Sequence, residues 1–425
     1  MTHPHRLVIL MLPLAGLFSS ALHAAPFVPR SDDEVVQHLP TRLSANERQQ
    51  RQQLARVPQN LPLALATART AIERARELGD PRELGVAQAA LSPWWSAASP
   101  PPAALLLRAT VRQSQHQFDA ALRDLDALIS PPAAAATVPT EVRAQALLTR
   151  ATVRQVTGQW AAAEADCSAL RNPPFDALGA PLATAALACL AELRSLHGQA
   201  PASARELALL ARQAPQDGWL ALVQAELAER LGDHPSAALH YRDALAHRSD
   251  VYTQAAAADW LLGQSRAAEA LTLLNRPTDS GPGLKRTRNN SSNHPDDEAT
   301  HLDTDADALL LRRAIAHQQL RHAPEARAAA ATLQARFAAA RLRGENFHAR
   351  EEARLALDVL GDAPAALKLA QANWVHQKEP ADALLLLRAA LAAGQPQAAA
   401  EVRALRAAGW QDVRLAAAER LGAQP

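Results

Sequence analysis

The sequence predicts an all-α protein, a right-handed α-solenoid of helix-turn-helix units, and three observations carry that prediction. Alanine makes up close to a quarter of the 425 residues, whereas aromatic residues are 4% and glycines number 16. A sandwich or a doubly wound sheet needs more β-branched and aromatic strand residues than this. A hexapeptide also recurs, Arg108-Ala-Thr-Val-Arg-Gln113 and then Arg150-Ala-Thr-Val-Arg-Gln155, each running into a short break and an alanine-rich stretch. The break itself returns along most of the chain at intervals scattered around the mid-thirties, the mark of a repeat architecture.

From the amino end, Met1-Thr-His-Pro-His-Arg6 supplies one firm positive charge, Leu7 to Leu22 an apolar run, and His23-Ala24-Ala25-Pro26 small residues at a cleavable bond. This order predicts a secretory signal peptide over residues 1–24, cut after Ala24 or Ala25. An uncleaved anchor is the alternative. Crossing ~30 Å of hydrocarbon takes about 20 apolar residues, and this run is shorter and interrupted by Pro13 and Gly16. No cysteine stands near the cut to be acylated, and no later segment is apolar for long enough to span a bilayer. The expectation is a periplasmic protein, or one secreted further, without stable membrane insertion after cleavage. Residues 25–44 are expected to be an extended N-terminal segment.

Export places Cys167 and Cys189 in an oxidising compartment, where two is the smallest number that can pair. A disulfide between them would be worth about 3 kcal/mol of chain entropy. Two buried thiols packed as small apolar residues are the other reading. There is no CxxC or HExxH, and the 15 histidines are scattered without ligand spacing, so no metal and no cofactor are expected.

The turns reveal the units. Their anchors are Gly79, His116, Gly158, Gly198, Gly232, Gly263, His322, Gly361 and Gly394. Glycine closes an apolar helix in the left-handed conformation, and proline in the next helix's first turn gives up no needed donor, so each unit is two antiparallel helices. Small residues recur five places after the anchor, at Ala121, Ala163, Ser203, Ala237, Ala268, Ala366 and Ala399, and seven before it, at Ala109, Ala151, Ala191, Ala225 and Ala256. There they let paired helices approach closely, while Leu125, Leu207 and Tyr241 fill the space between pairs.

In these features the chain resembles the tetratricopeptide repeat family, whose unit is two helices, a glycine-led turn and small residues at those places. Trp219 to Arg248 is the best copy, with Ala225, Ala228, Gly232, Ala237, Tyr241 and Ala244 all matching. Copies around His322, Gly361 and Gly394 depart from the pattern, with Ile315, Arg354 and Leu387 where a small residue is expected. The resemblance implies a solenoid over residues 45–276 and degenerate repeats with a C-terminal capping helix over 306–425. Pro29-Arg-Ser-Asp-Asp-Glu-Val, Pro93-Trp-Trp95 and Asn373-Trp-Val-His-Gln-Lys-Glu-Pro380 also resemble stretches of exported proteobacterial repeat proteins, a likeness that brings no activity. Residues 277–305, polar and rich in breakers, are expected to form a flexible loop.

Function is read mainly by exclusion. The chain has no Gly-x-Ser-x-Gly elbow, no dinucleotide fingerprint and no Ser or Cys beside a credible base, so it is not expected to be an enzyme. With 44 Lys+Arg against 43 Asp+Glu, it has no general attraction for nucleic acid. Repeat arrays bind partners along a concave wall of first helices. The resemblance places Thr110, Gln113, Thr152, Gln155, Glu192, Ser195, Glu226, Glu229, Trp260, His348 and Asp358 on that wall. Beside them Arg112, Arg154 and Arg194 each stand four residues before a turn, the first two with Arg108 and Arg150 one helical turn back. Like charges at that spacing disfavour a helix, so these arginines call for acid. It comes either from the chain, through Asp119, Asp124, Asp126, Glu164 and Asp166, or from a partner's carboxylates. The expected function is a scaffold or adaptor for a protein or peptide of the envelope. The competing class is an accessory of cell-wall or polysaccharide metabolism with a glycan or small ligand.

Overall fold

The computed structural model comprises two units, residues 1–39 and 40–425. The residues it describes are 31, 43–130, 138–275, 306–342, 344 and 348–422. The expected signal peptide, the expected loop at 277–305 and nearly all of the expected extended segment lie outside the described residues. The protein is all-α: among the described residues the only β element is an isolated bridge between His197 and Trp410.

Helix α1 (Ala45–Arg56) begins at a capping box in which the Ser44 hydroxyl accepts from Glu47 N–H and Glu47 accepts from Ser44 N–H. Pairs then follow in order: α2 (Leu61–Leu78) with α3 (Arg82–Ala90), the short α4 (Ser92–Trp95), α5 (Pro102–Ser114) with α6 (Phe118–Ile129), and α7 (Thr140–Val156) with α8 (Trp160–Ala169). Next are α9 (Ala180–Leu196) with α10 (Ala200–Gln213), α11 (Gly218–Leu231) with α12 (His234–His247), and α13 (Val251–Gly263) with α14 (Ala267–Leu274). Beyond the undescribed stretch come α15 (Asp307–Gln319) with α16 (Ala323–Leu342), and α17 (Ala349–Leu355), prolonged by the π-helical turn Ala356–Leu360, with α18 (Ala363–His376). Finally α19 (Pro380–Ala392) pairs with α20 (Ala400–Ala407), and α21 (Val413–Gly422) follows. Each first helix packs on its second, and neighbouring pairs stack in chain order.

One hydrogen bond fixes the register of the turns. The N–H just past the left-handed residue returns to a carbonyl five residues back: Gln117 to Arg112, Gln159 to Arg154, Gln199 to Arg194, Asp233 to Ala228, Arg266 to Leu261, His322 to His317 and Gln395 to Ala390. The left-handed residues are therefore His116, Gly158, Gly198, Gly232, Ser265, Arg321 and Gly394. Two anchors expected from sequence are displaced, because Gly263 still belongs to α13 and Arg321 precedes His322. Counted from the true anchors, the residues five places on are Ala121, Ala163, Ser203, Ala237, Ala270, Ala326 and Ala399, all buried. Seven places back stand Ala109, Ala151, Ala191, Ala225, Ala258 and Ala314, also buried. Ala270 and Ala258 thus replace the expected Ala268 and Ala256, and Ala314 replaces Ile315. At Gly361 the closing bond spans one residue more, from Asp362 to Ala356, because the π turn inserts a residue. The buried small side chain there is accordingly Ala353, and Arg354 reaches Asp259 of α13.

The later pairs return to the earlier ones. Lys378 N–H donates to Val156 O (2.7 Å) and Gln411 N–H to Leu196 O (3.2 Å). Val156 and Leu196 end α7 and α9, so these are helix-terminal carbonyls that no later turn of their own helix can satisfy. Gly158 faces the Lys378 side chain and Gly232 faces Val413, while Gly79 faces Val251 and Ala306, a Cβ there falling 2.8 Å from Ala306 Cβ.

Candidate functional site

The arginine column faces the chain's own acid. Arg108 holds Asp124 in a fork (Nε 2.9 Å, Nη2 2.8 Å), and Arg112 adds a bond of 2.7 Å to the same carboxylate. The second copy repeats this on Asp166, through Arg150 (3.0 and 2.6 Å) and Arg154 (2.7 Å). Each hexapeptide thus carries two arginines on one helix face that share one aspartate of the following helix, which removes the repulsion between them. Burial opposes the Arg150 charge, but its bonds to Asp166 and Asp126 outweigh that and raise its pKa. In the third unit Leu190 stands where the upper arginine would be, and Arg194 reaches back to Glu164 (3.0 Å). Arg108 also donates to Trp95 O (2.7 Å), and Arg112 lies over the Trp95 ring at 5.6 Å, so the tandem tryptophans pack against the first full pair.

A second set of polar contacts joins successive first helices to one another and to the chain that returns to them. Gln155 on α7 donates to Glu192 on α9 (2.7 Å), and the Tyr252 hydroxyl on α13 donates to Glu226 on α11 (3.1 Å). Opposite stand Arg350 on α17, held by Asp382 (2.6 and 2.7 Å) and Glu379, and Arg354, bonded to Asp259 of α13 (2.8 Å). Asp259 also receives Arg312 (2.6 Å), and Arg414 on α21 reaches Glu229 (2.8 Å), which the Tyr241 hydroxyl bonds from the other side (2.7 Å).

The charges here are uneven. Burial, with Glu192 nearby, pushes the Glu226 carboxyl up to about 8, and burial also raises Glu192. Neither carboxylate pairs with a lysine or arginine among the described residues. Glu226 is the main influence raising the Tyr252 phenol, with burial and Glu379 adding to it. Tyr252 nevertheless keeps 57% of its surface accessible. Glu379 and Arg350 of the returning chain, and Glu192 of α9, lie near enough to act on this exposed ring. On Asp259, burial opposes the charge and the two guanidiniums prevail, keeping its pKa low.

The residues expected on the wall divide accordingly. Gln155, Glu192, Glu226 and Glu229 take part in this second set of contacts. Thr110 and Thr152 turn their hydroxyls to Leu106 O and Leu148 O of their own helices, and Gln113 is partly buried. Ser195 is buried and accepts from Arg230 (2.8 Å). His348 begins α17 beside Phe337, and Asp358 bonds Arg388 (2.6 Å). Trp260 is a correction: it is buried against Tyr241, with ring centroids 5.6 Å apart, beneath the Arg266 guanidinium. Counted from Ser265, the place six before the turn, held by Glu226 in the preceding unit, falls to Asp259.

Sequence reasoning missed Tyr252, Asp259, Arg350, Arg354 and Glu379. The Asn373 to Pro380 stretch did carry a signal, since it supplies Gln377, Lys378 and Glu379 to the return contacts. Cys167 and Cys189 form a disulfide that joins α8 to α9, with Cα atoms 6.2 Å apart. Among the described residues no group of three or more His, Cys, Asp or Glu is placed to hold a metal, and no helix is long and apolar enough to cross a membrane. No protein-family model matches the chain, and no curated protein matches it in sequence.

Proposed function

We propose that this chain is a non-enzymatic scaffold: a right-handed α-solenoid of tetratricopeptide-like units, exported by a cleavable signal peptide, that holds a protein or peptide partner of the envelope on its inner face. One observation carries the reading. Polar side chains of successive first helices bond one another beside the exposed Tyr252, and two acids among them, Glu192 and Glu226, form no ion pair among the described residues although Arg230 lies near both. A lysine- or arginine-bearing segment suits these groups, because a cation placed there offsets the burial that keeps both acids from ionising and its stem packs against Tyr252.

The arginines of the two hexapeptides serve the fold in this reading, since Asp124 and Asp166 already hold them. A photocrosslinking amino acid at Tyr252, introduced in cells, tests the proposal. A discrete envelope protein should be captured, and capture should fall when Glu192 and Glu226 are both changed to Gln. Capture of nothing, or capture indifferent to those changes, contradicts it. N-terminal sequencing of the mature protein tests export, with Ala25 or Pro26 expected first. The competing glycan reading gains nothing from the inner face, where Trp260 is buried.

A further inference from the structure

Where the end of α2 meets the connections that open α11 and α13, the chain leaves a cleft of about 520 Å³, lined by Glu73, Arg76, Glu77, Gln216, Trp219 and Arg248 among others. That volume can take a small ligand, in a cleft open to solvent and lined more by polar than by apolar groups. The cleft exists only because the winding of the chain brings α2 beside α13. Its wall is tightly built. A Cβ on Gly218 would fall 2.6 Å from Arg248 Cβ and 3.0 Å from Arg248 N, so only glycine lets the two strands of chain close up.

The polar groups of the cleft divide into engaged and free. Asp217 caps α11 by accepting from Trp219 and Leu220 N–H, and Asp250 caps α13 while accepting from Arg248 Nε (2.5 Å). Glu73, Arg76, Glu77 and Gln216 make no hydrogen bond or ion pair among the described residues. Both Arg76 and Glu77 are exposed, yet the crowding of neighbouring chain, with Arg248 beside the first and Glu73 beside the second, lowers the pKa of Arg76 and raises that of Glu77. Trp219, partly buried on the α9–α11 core, lines the cleft, and its Nε1 has no acceptor among the described residues.

Free carboxylates and a free guanidinium around one aromatic face define the ligand chemistry. A simple cation leaves Arg76 unanswered, and a simple anion meets Glu73 and Glu77. A sugar hydroxyl donates to a carboxylate and accepts from a guanidinium or amide at once, and the C–H face of a pyranose stacks on an indole. We infer that this cleft binds a neutral oligosaccharide, with Trp219 as the platform and Glu73, Arg76, Glu77 and Gln216 as the hydroxyl partners. It shares no residue with the inner face, so the two readings stand or fall separately.

Calorimetric titration of the full chain with cellotriose, maltotriose and N,N′,N″-triacetylchitotriose tests this. At least one should bind saturably, and Trp219→Ala should weaken it about tenfold, the ~1.4 kcal/mol expected of one ring–sugar contact. Because Trp219 also touches the core, Arg76→Ala, at an exposed position, is the second arm and should weaken the same sugar several-fold without changing the helical circular dichroism. Binding of none of the three, or an affinity that neither substitution alters, overturns the inference. So does a lysine-rich peptide that binds the cleft through these residues while the sugars do not.

Discussion

Changing Asp166 to Ala should destabilise the fold by about 3 kcal/mol. The carboxylate is 4% exposed and accepts three charge-assisted bonds, from Arg150 Nε and Nη2 and from Arg154 Nη1. Removing one member of a buried ion pair costs ~3–5 kcal/mol, chiefly because the remaining charge is stranded. Two features put this site at the lower end of that range. Arg150 keeps Asp126 (2.7 Å), and the Arg154 side chain is 20% exposed, so water recovers part of its hydration. Arg154→Gln, which strands nothing, should cost no more than about 1 kcal/mol. Replacing the pair together, Arg150→Met with Asp166→Leu, should cost much less than Asp166→Ala, since matched apolar groups leave no charge unanswered. Urea titration followed by circular dichroism at the helix band, with exchange of α7 and α8 amides to localise the loss, measures all three. An Asp166→Ala protein within 1 kcal/mol of the parent, or a paired replacement as costly as the single one, would refute the stranded-charge reasoning.

Four further outcomes follow from the same geometry. Folding raises the Glu226 pKa to about 8, so the folded chain keeps a proton that the unfolded chain loses near pH 4.3. Stability from this group is full below pH ~4.3 and is lost as pH rises through 8, with a slope of at most ~1.4 kcal/mol per pH unit before solvent screening. Glu226→Gln should flatten that slope and melt later than the parent at pH 8. Reducing the Cys167–Cys189 bridge should lower stability by about 3 kcal/mol, read as a fall in the urea midpoint with reductant. Ser265→Gly and Arg321→Gly, at exposed turn positions with φ of 58° and 61°, should each add ~1 kcal/mol by relieving a left-handed side-chain residue. Gly218→Ala should lower the melting temperature, because its Cβ meets backbone as well as the Arg248 side chain.

Much of the fold was legible because small residues and turns are local signals. The hexapeptide and the Gly-x-x-Pro turns placed the helix pairs from Leu61 to His247 with little error. The misreadings share one cause. Gly263 looked like a turn glycine, yet the closing bond from Arg266 to Leu261 puts Ser265 in the left-handed place, and the two-residue slip put Trp260 among the wall residues and hid Asp259, which stands six before the true turn as Glu226 does before Gly232. The π turn before Gly361 did the same by one residue, making an apparently defective Arg354 into an inner-face cation. Neither event leaves a local mark, since both are decided by which carbonyl closes the turn. The return of the later pairs was illegible for a different reason. Val156 O and Leu196 O are ordinary helix-end carbonyls, and nothing in residues near them specifies Lys378 or Gln411 as donors. The candidate site inherits this: Gln155, Glu192 and Glu226 were readable from the repeat, whereas Arg350, Arg354 and Glu379 belong to it only through the winding.

That winding is the central claim, and amide-resolved hydrogen exchange of the intact protein tests it most directly. Lys378 and Gln411 lie in connections between helices, where an N–H without a partner exchanges at the rate of unstructured chain. Because they donate to Val156 O and Leu196 O across the molecule, both should be protected to the level of the neighbouring helix amides, and Arg414→Ala, which removes the adjoining bond to Glu229, should reduce protection at Gln411 more than at Lys378. Exchange of both amides at the unprotected rate, in a protein whose helices are otherwise protected, would contradict the account.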